Sequence, residues 1–144
     1  MKPYNILVVG MPRSGTSMTA GALARAGYHV SEAPESDLRA GDQHNPGGYW
    51  ESEALVRRNA EILEAAGFPF DNTWLYEPID EDCVRAIGAL DPLPGHRNFV
   101  EGMATCEPWV WKDPRLCYTL AYWQKLEPPR VYRRPFDLSP TVSG

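Results

Sequence analysis

The segment Gly10-Met11-Pro12-Arg13-Ser14-Gly15-Thr16-Ser17 holds the residue types that bind an anion through the main chain. Two glycines let backbone N–H groups converge, and a helix opening behind them adds the partial positive charge of its N-terminus, each favourable contribution being about 0.3–2 kcal/mol. The glycine spacing is that of the Walker A phosphate loop, with one departure: Thr16 stands where that loop has its lysine, and a fixed positive charge comes earlier, at Arg13. Phosphate binding is expected to survive this change, while the lysine for the β- and γ-phosphates is missing. A glycine turn that binds nothing is the bland alternative, and the strand before and helix after the loop argue against it. Thr16 and Ser17 can cap that helix and also donate to an anion.

The elements that must hold this loop follow from apolar periodicity. Residues 5–9 (NILVV) are a short apolar run ending at Gly10, expected as a parallel strand buried on both faces. Residues 16–26 carry small and apolar side chains at helical spacing, and Gly27 stands where a helix should stop. From 31 to 48 the chain is polar, rich in Pro and Gly and aperiodic, which predicts a long connection bordering a site. A helix is expected over 52–66, with Leu55, Asn59, Ile62, Leu63 and Ala66 on one face. Asn59, polar on that apolar face, reads as a packed, hydrogen-bonded residue rather than a ligand. Further helices are expected over 80–90 and 116–126, and strands at 109–112 (WVWK) and 130–133 (RVYR). The fold class is therefore α/β with a central parallel sheet, as a single domain over residues 1–135 followed by an irregular tail at 136–144.

Composition bounds the partners. Fourteen basic against nineteen acidic side chains give a net charge of −5, so no general field draws the protein to nucleic acid or an anionic membrane, and any anion site must be local. A chain of 144 residues suits one domain. Three cysteines, an odd number without C-x-x-C spacing, argue against a zinc site or disulfide framework and for reduced thiols. The opening apolar run ends at Pro12-Arg13 without a cleavage site, and no stretch reaches membrane-spanning length, so a cytoplasmic location is expected.

The loop resembles the 5′-phosphosulfate loop of sulfotransferases that use 3′-phosphoadenosine 5′-phosphosulfate, where Lys or Arg precedes Ser-Gly-Thr. NPGGYWE at 45–51, Asn59, WKDPRLC at 111–117 and YRRP at 132–135 resemble, in order, landmarks of the bacterial-type sulfotransferase family, over residues 4–135. The resemblance implies a P-loop NTPase-like three-layer sandwich and metal-independent transfer of a sulfuryl group to a hydroxyl or amine on a small-molecule or glycan acceptor. The segments 31–48 and 67–78 are expected to shape the acceptor pocket. Because family members continue beyond the YRRP region, the resemblance also implies an N-terminal portion, incomplete at its C-terminal side, whose uncovered sheet edges favour self-association. Two rival readings are a truncated, non-catalytic relative and a nucleotide kinase or NTPase using the same loop. The missing loop lysine and the want of a clear Walker B strand count against the kinase.

The resemblance distributes roles over particular residues. Arg13, with Ser14, Gly15, Thr16 and Ser17, would hold the donor phosphosulfate, and Arg13 would stabilise charge on the departing phosphate oxygen rather than give up a proton. The family's KxH-type segment becomes Lys112-Asp113-Pro114-Arg115, without its histidine, so the base must lie elsewhere. Glu51 reads either as that base or as a carboxylate complementing a helix dipole. Asp113 reads either as a second candidate base at a strand's C-terminal end or as the partner of Arg115 in a salt bridge. Lys112 and Arg115 either contact donor phosphates or clamp the turn. Arg133 matches the family's 3′-phosphate arginine, and Thr141, with Ser139 and Ser143 nearby, stands at its serine position. Pro140 spoils the helix that presents this hydroxyl. His44 reads as a solvated loop residue before it reads as a base; His29 and His96 carry no signal. Trp50, Trp109, Trp111 and Trp123 read as packing residues rather than as an adenine platform.

Overall fold

The computed structural model describes residues 4–68 and 79–126. The expected strand at 130–133, the tail at 136–144 and the candidate residues Arg133 and Thr141 lie outside the described residues, as does most of the 67–78 segment. The order of elements is β1 (Ile6–Val8), α1 (Thr16–Arg25), α2 (Pro34–Asp37), α3 (Glu53–Ala65), α4 (Glu81–Ala89), α5 (His96–Ala104), β2 (Val110–Lys112) and α6 (Leu116–Trp123). The described fold is mixed α/β, with six helices and a two-stranded parallel sheet in which Ile6, Leu7 and Val8 pair with Val110, Trp111 and Lys112. On its other edge β2 is bridged by the backbone of His29.

Strand alternation divides the apolar side chains between two faces. Ile6, Val8 and Val110 pack with Leu23 and Ala24 of α1, beside Val30 and Trp50. Leu7, Trp109 and Trp111 pack on the opposite side with Leu55, Ile62 and Leu63 of α3, Ile87 of α4, Phe99 and Met103 of α5, and Tyr122 and Trp123 of α6. Aromatic rings dominate this second cluster: Trp109 and Trp111 stack at 4.7 Å, Phe99 and Trp111 at 5.3 Å, and Trp123 meets Trp111 edge-on at 5.2 Å. Each such pair contributes about 0.5–1.5 kcal/mol beyond its buried area. Trp109, Trp111 and Trp123 are thus packing residues, as the sequence reading has them.

Two helices escape the periodicity reading. α2 is a single turn inside the 31–48 connection, with Pro34 in its first turn and no buried residue. α5 buries His96, Phe99, Val100 and Met103 at helical spacing. His96, which carries no signal in the sequence, has a definite structural place here. It is wholly buried, stacked on Trp123 at 5.2 Å, with Nε2 2.8 Å from Glu61 Oε2 and Nδ1 3.0 Å from the Tyr122 hydroxyl. The Leu93 N–H donates to that hydroxyl at 2.7 Å, which leaves the Tyr122 proton for His96 Nδ1 and puts the imidazole proton on Nε2, facing Glu61.

Burial holds His96 below its ordinary pKa of 6.5 even though Glu61 pulls the other way. An unfolded chain takes up this proton as pH falls through 6.5 while the folded one resists, so protons favour the unfolded state. The contribution of neutral His96 is complete above that pH and declines below it. The melting temperature should drop on acidification below pH 6.5, and His96→Gln should flatten the drop. Parallel curves for the two proteins would show that His96 does not titrate this way.

Candidate functional site

The loop between β1 and α1 turns back on itself because both the Ser14 N–H and its hydroxyl donate to the Met11 carbonyl, at 3.3 and 2.6 Å. Its two glycines have different reasons. Gly15 has a φ of 86°, open to glycine at no cost, whereas a Cβ on Gly10 would lie 2.9 Å from Thr16 Cγ2 and 3.0 Å from Ser14 Oγ. Arg13 also adopts a left-handed φ, 69°, which costs a residue with a side chain about 1–2 kcal/mol. Its guanidinium Nη1 donates to the His44 carbonyl at 3.0 Å, tying the loop to the 31–48 connection. α1 starts at Gly15 without a side-chain cap, so neither Thr16 nor Ser17 takes that role. The amides of Gly15, Thr16, Ser17 and Met18 find no partner among the described residues.

Beneath this helix start lies a buried ion pair. Lys112 follows Val110 by two positions on β2 and so faces α1. Its Nζ donates to Ser17 Oγ at 3.2 Å and to Glu51 Oε1 at 2.5 Å, with Lys112 and Glu51 each 3% exposed. The second Glu51 oxygen, Oε2, accepts from Nη1 of Arg39 at 3.3 Å, and the Arg39 side chain is 44% exposed. One carboxylate thus lies between two cations.

Asp113, the next residue, faces the other way. It is fully buried; Oδ2 accepts from Asn59 Nδ2 at 2.8 Å, and Oδ1 accepts from the backbone N–H and Nη1 of Arg115 at 3.1 and 2.9 Å. Asn59 Oδ1 in turn accepts from Thr119 Oγ1 at 2.8 Å and Trp123 Nε1 at 2.7 Å. Asp113 and Arg115 therefore form the salt bridge that was the structural alternative for them, and Asn59 is the packed hub expected on α3. Neither Asp113 oxygen is left open to an acceptor.

The 31–48 connection is pinned rather than loose. Asp37 Oδ2 accepts from Ser31 Oγ at 2.6 Å and Ser52 Oγ at 2.5 Å, while Oδ1 accepts from the Ala54 N–H at 2.8 Å. Ser52 itself caps α3 by accepting from the Leu55 N–H at 3.1 Å, which is typically worth about 1 kcal/mol. Farther along, the exposed Asp42 accepts from the Tyr49 hydroxyl and the His44 and Asn45 amides; these bonds, the hydroxyl's above all, hold its carboxyl below its usual range.

Of the sequence candidates, the fold brings Ser17, Lys112 and Glu51 into contact and joins Arg13 to the segment preceding Glu51. It sets Asp113 and Arg115 on the opposite face. Arg39 escaped the sequence reading because an arginine in an aperiodic connection carries no signal until its partner is known. Among the described residues, no helix is long and apolar enough to cross a membrane, and no group of three or more His, Cys, Asp or Glu is placed to hold a metal ion. Comparison with protein-family models, curated proteins and solved structures finds no match.

Removing one member of a buried pair strands the other, at about 3–5 kcal/mol, whereas removing both does not. Lys112→Met should lose stability on that scale, and adding Glu51→Gln should restore part of the loss, as measured by denaturant unfolding. Purely additive losses would show that the pair is not coupled.

Proposed function

We propose that the chain binds 3′-phosphoadenosine 5′-phosphosulfate at the start of α1 and transfers its sulfuryl group to a hydroxyl or amine acceptor, on a P-loop NTPase-like scaffold. The observation that carries the reading is the meeting of unpartnered amides at Gly15–Met18 with the Lys112 ammonium at Ser17. A cation delivered from β2 offsets the missing loop lysine. The layering of α1 against one sheet face and the other packed helices against the opposite face is consistent with the scaffold.

In the transfer, the bond from sulfur to the phosphate oxygen breaks as one to the acceptor oxygen or nitrogen forms. The acceptor loses its proton to a base, and adenosine 3′,5′-bisphosphate leaves with the negative charge. Arg13 and Lys112 stabilise that growing charge, which is where fixed cations contribute most. Arg13 remains protonated throughout. Glu51 keeps Lys112 in place through Oε1, and its Oε2 becomes free to take the acceptor proton once half-exposed Arg39 swings aside. Asp113, enclosed by Asn59 and Arg115, does not enter this reading. Its orientation also counts against nucleotide hydrolysis, since a metal-holding carboxylate would have to face the phosphate loop from this strand end.

Melting curves with the phosphosulfate donor, with adenosine 3′,5′-bisphosphate and with ATP plus Mg²⁺ test the proposal. The first two should stabilise the protein by about 2.7 kcal/mol at a hundredfold excess over Kd, without metal. A preference for ATP and Mg²⁺ would transfer the loop to the kinase reading. Arg13→Ala should fold and lose about 2.7–4 kcal/mol of transition-state stabilisation, a hundredfold or more in turnover; undiminished turnover would remove Arg13 from the mechanism.

A further inference from the structure

Trp50 has a φ of 55°, a backbone conformation that bulky side chains avoid. Such strain persists only where surrounding contacts over-determine it. The contact is found on α1: a Cβ on Gly21 would stand 2.7 Å from Trp50 Nε1, 3.0 Å from Cε2 and 3.1 Å from Cδ1, so the indole occupies the space that any larger residue at 21 would need. Arg25, one turn further, lies with its guanidinium 5.7 Å from the Trp50 ring centroid. Ser17, Gly21 and Arg25 are spaced four apart and share one face of α1. That face receives Trp50 at Gly21 and Arg25 and, through Glu51 and Lys112, the ammonium at Ser17.

We infer that Trp50 is a positioning residue: its indole, wedged against Gly21, directs the following Glu51 carboxylate onto Lys112 and so sets the ammonium at the anion-binding end of α1. The significance of this for donor binding rests on the function proposed above. The wedge itself can be read without any donor. Glycine at 21 is a poor choice for a helix interior and is explained here by the room it gives the indole. The left-handed backbone at 50 turns the chain so that residue 51 enters the protein rather than solvent.

The chain has three lysines, Lys2, Lys112 and Lys125, so acylation by an N-hydroxysuccinimide acetate ester can be followed at each by mass spectrometry. Lys112, enclosed and ion-paired, should react slowly in the native protein, with Lys125 as the exposed reference. Gly21→Ala improves helix propensity yet should speed Lys112 acylation about tenfold, the change expected when a charge-assisted hydrogen bond is lost. Trp50→Gly, which accepts the native φ but removes the indole, should do the same at an unchanged Lys125 rate. Trp50→Phe should restore protection. Native Lys112 rates in folded Gly21→Ala and Trp50→Gly proteins would overturn the inference; if Gly21→Ala fails to fold, Trp50→Gly decides alone. Failure of the native protein to bind the phosphosulfate donor would sink the functional reading only, because lysine protection is measured without that donor.

Discussion

An ammonium group withdrawn from water has to be given a carboxylate, and much of the described architecture follows from how Lys112 meets that requirement. Its position on β2 is set by pairing with Val8, and the pleat points it at α1. The carboxylate is far away in sequence, at Glu51, and reaches Lys112 only because the preceding segment is folded back and fastened. Asp37 joins Ser31 to the start of α3, the Arg39 backbone N–H donates to the Glu51 carbonyl at 2.9 Å, and Trp50 lies against Gly21. Desolvating either charge alone would cost several kcal/mol, on the order of a large part of a small domain's stability. The fastening of the 31–48 connection is therefore inseparable from the burial of the pair.

The same pleat explains why neighbouring charged residues serve different networks. Lys112 and Asp113 are consecutive, yet Lys112 turns toward α1 and Asp113 toward Asn59 and α6. On the α1 side the ion pair adjoins exposed loop amides. Opposite it, Asp113, Arg115, Asn59, Thr119 and Trp123 use one another's donors and acceptors inside the aromatic cluster. A charged group whose bonds are completed within the fold specifies structure; one beside unpartnered amides is available to a ligand. On the function proposed above, this difference in surroundings, rather than the charge itself, separates Lys112 from Asp113 as candidates for an anion site.

Local patterns were legible where they were long or sharply bounded. NILVV ending in glycine contains β1, the 16–26 run contains α1, the 52–66 and 80–90 runs contain α3 and α4, and WVWK contains β2. α5 has a helical pattern, Phe99, Val100 and Met103, but its first buried member is a histidine, and Pro92 and Pro94 precede it closely. The polar residue disguised the stripe because its burial depends on Glu61 and Tyr122, which no local window contains. α2 buries nothing and so has no periodicity to read. At the site, Ser17, Glu51 and Lys112 were each legible as residue types. Their meeting was not, since it requires strand register, the fastening by Asp37 and the space at Gly21 at once. Trp50 shows the limit most clearly: as a large aromatic it is expected to pack, but its strained backbone has meaning only beside a glycine on another element.

The helix starts carry the comparison further. Each leaves backbone donors that must be satisfied. Ser52 and Asp80 do so for α3 and α4 with their own side chains, the Asp80 carboxylate accepting from the Cys83 N–H at 2.7 Å. α6 uses the turn after β2, where the Leu116 and Cys117 amides donate to the Asp113 and Pro114 carbonyls, and at α5 the His96 amide donates to the Leu93 carbonyl. α1 shares with α5 a left-handed glycine at its start and the lack of a side-chain cap, but differs in that four successive amides lack a partner among the described residues and an ammonium enclosed by the fold touches its second residue. A cap there would have been the simplest stabilising choice, as it is at α3. What remains instead is a row of open donors at the loop beside a buried ion pair, and on the function proposed above the donor's phosphosulfate is the anion that would complete it.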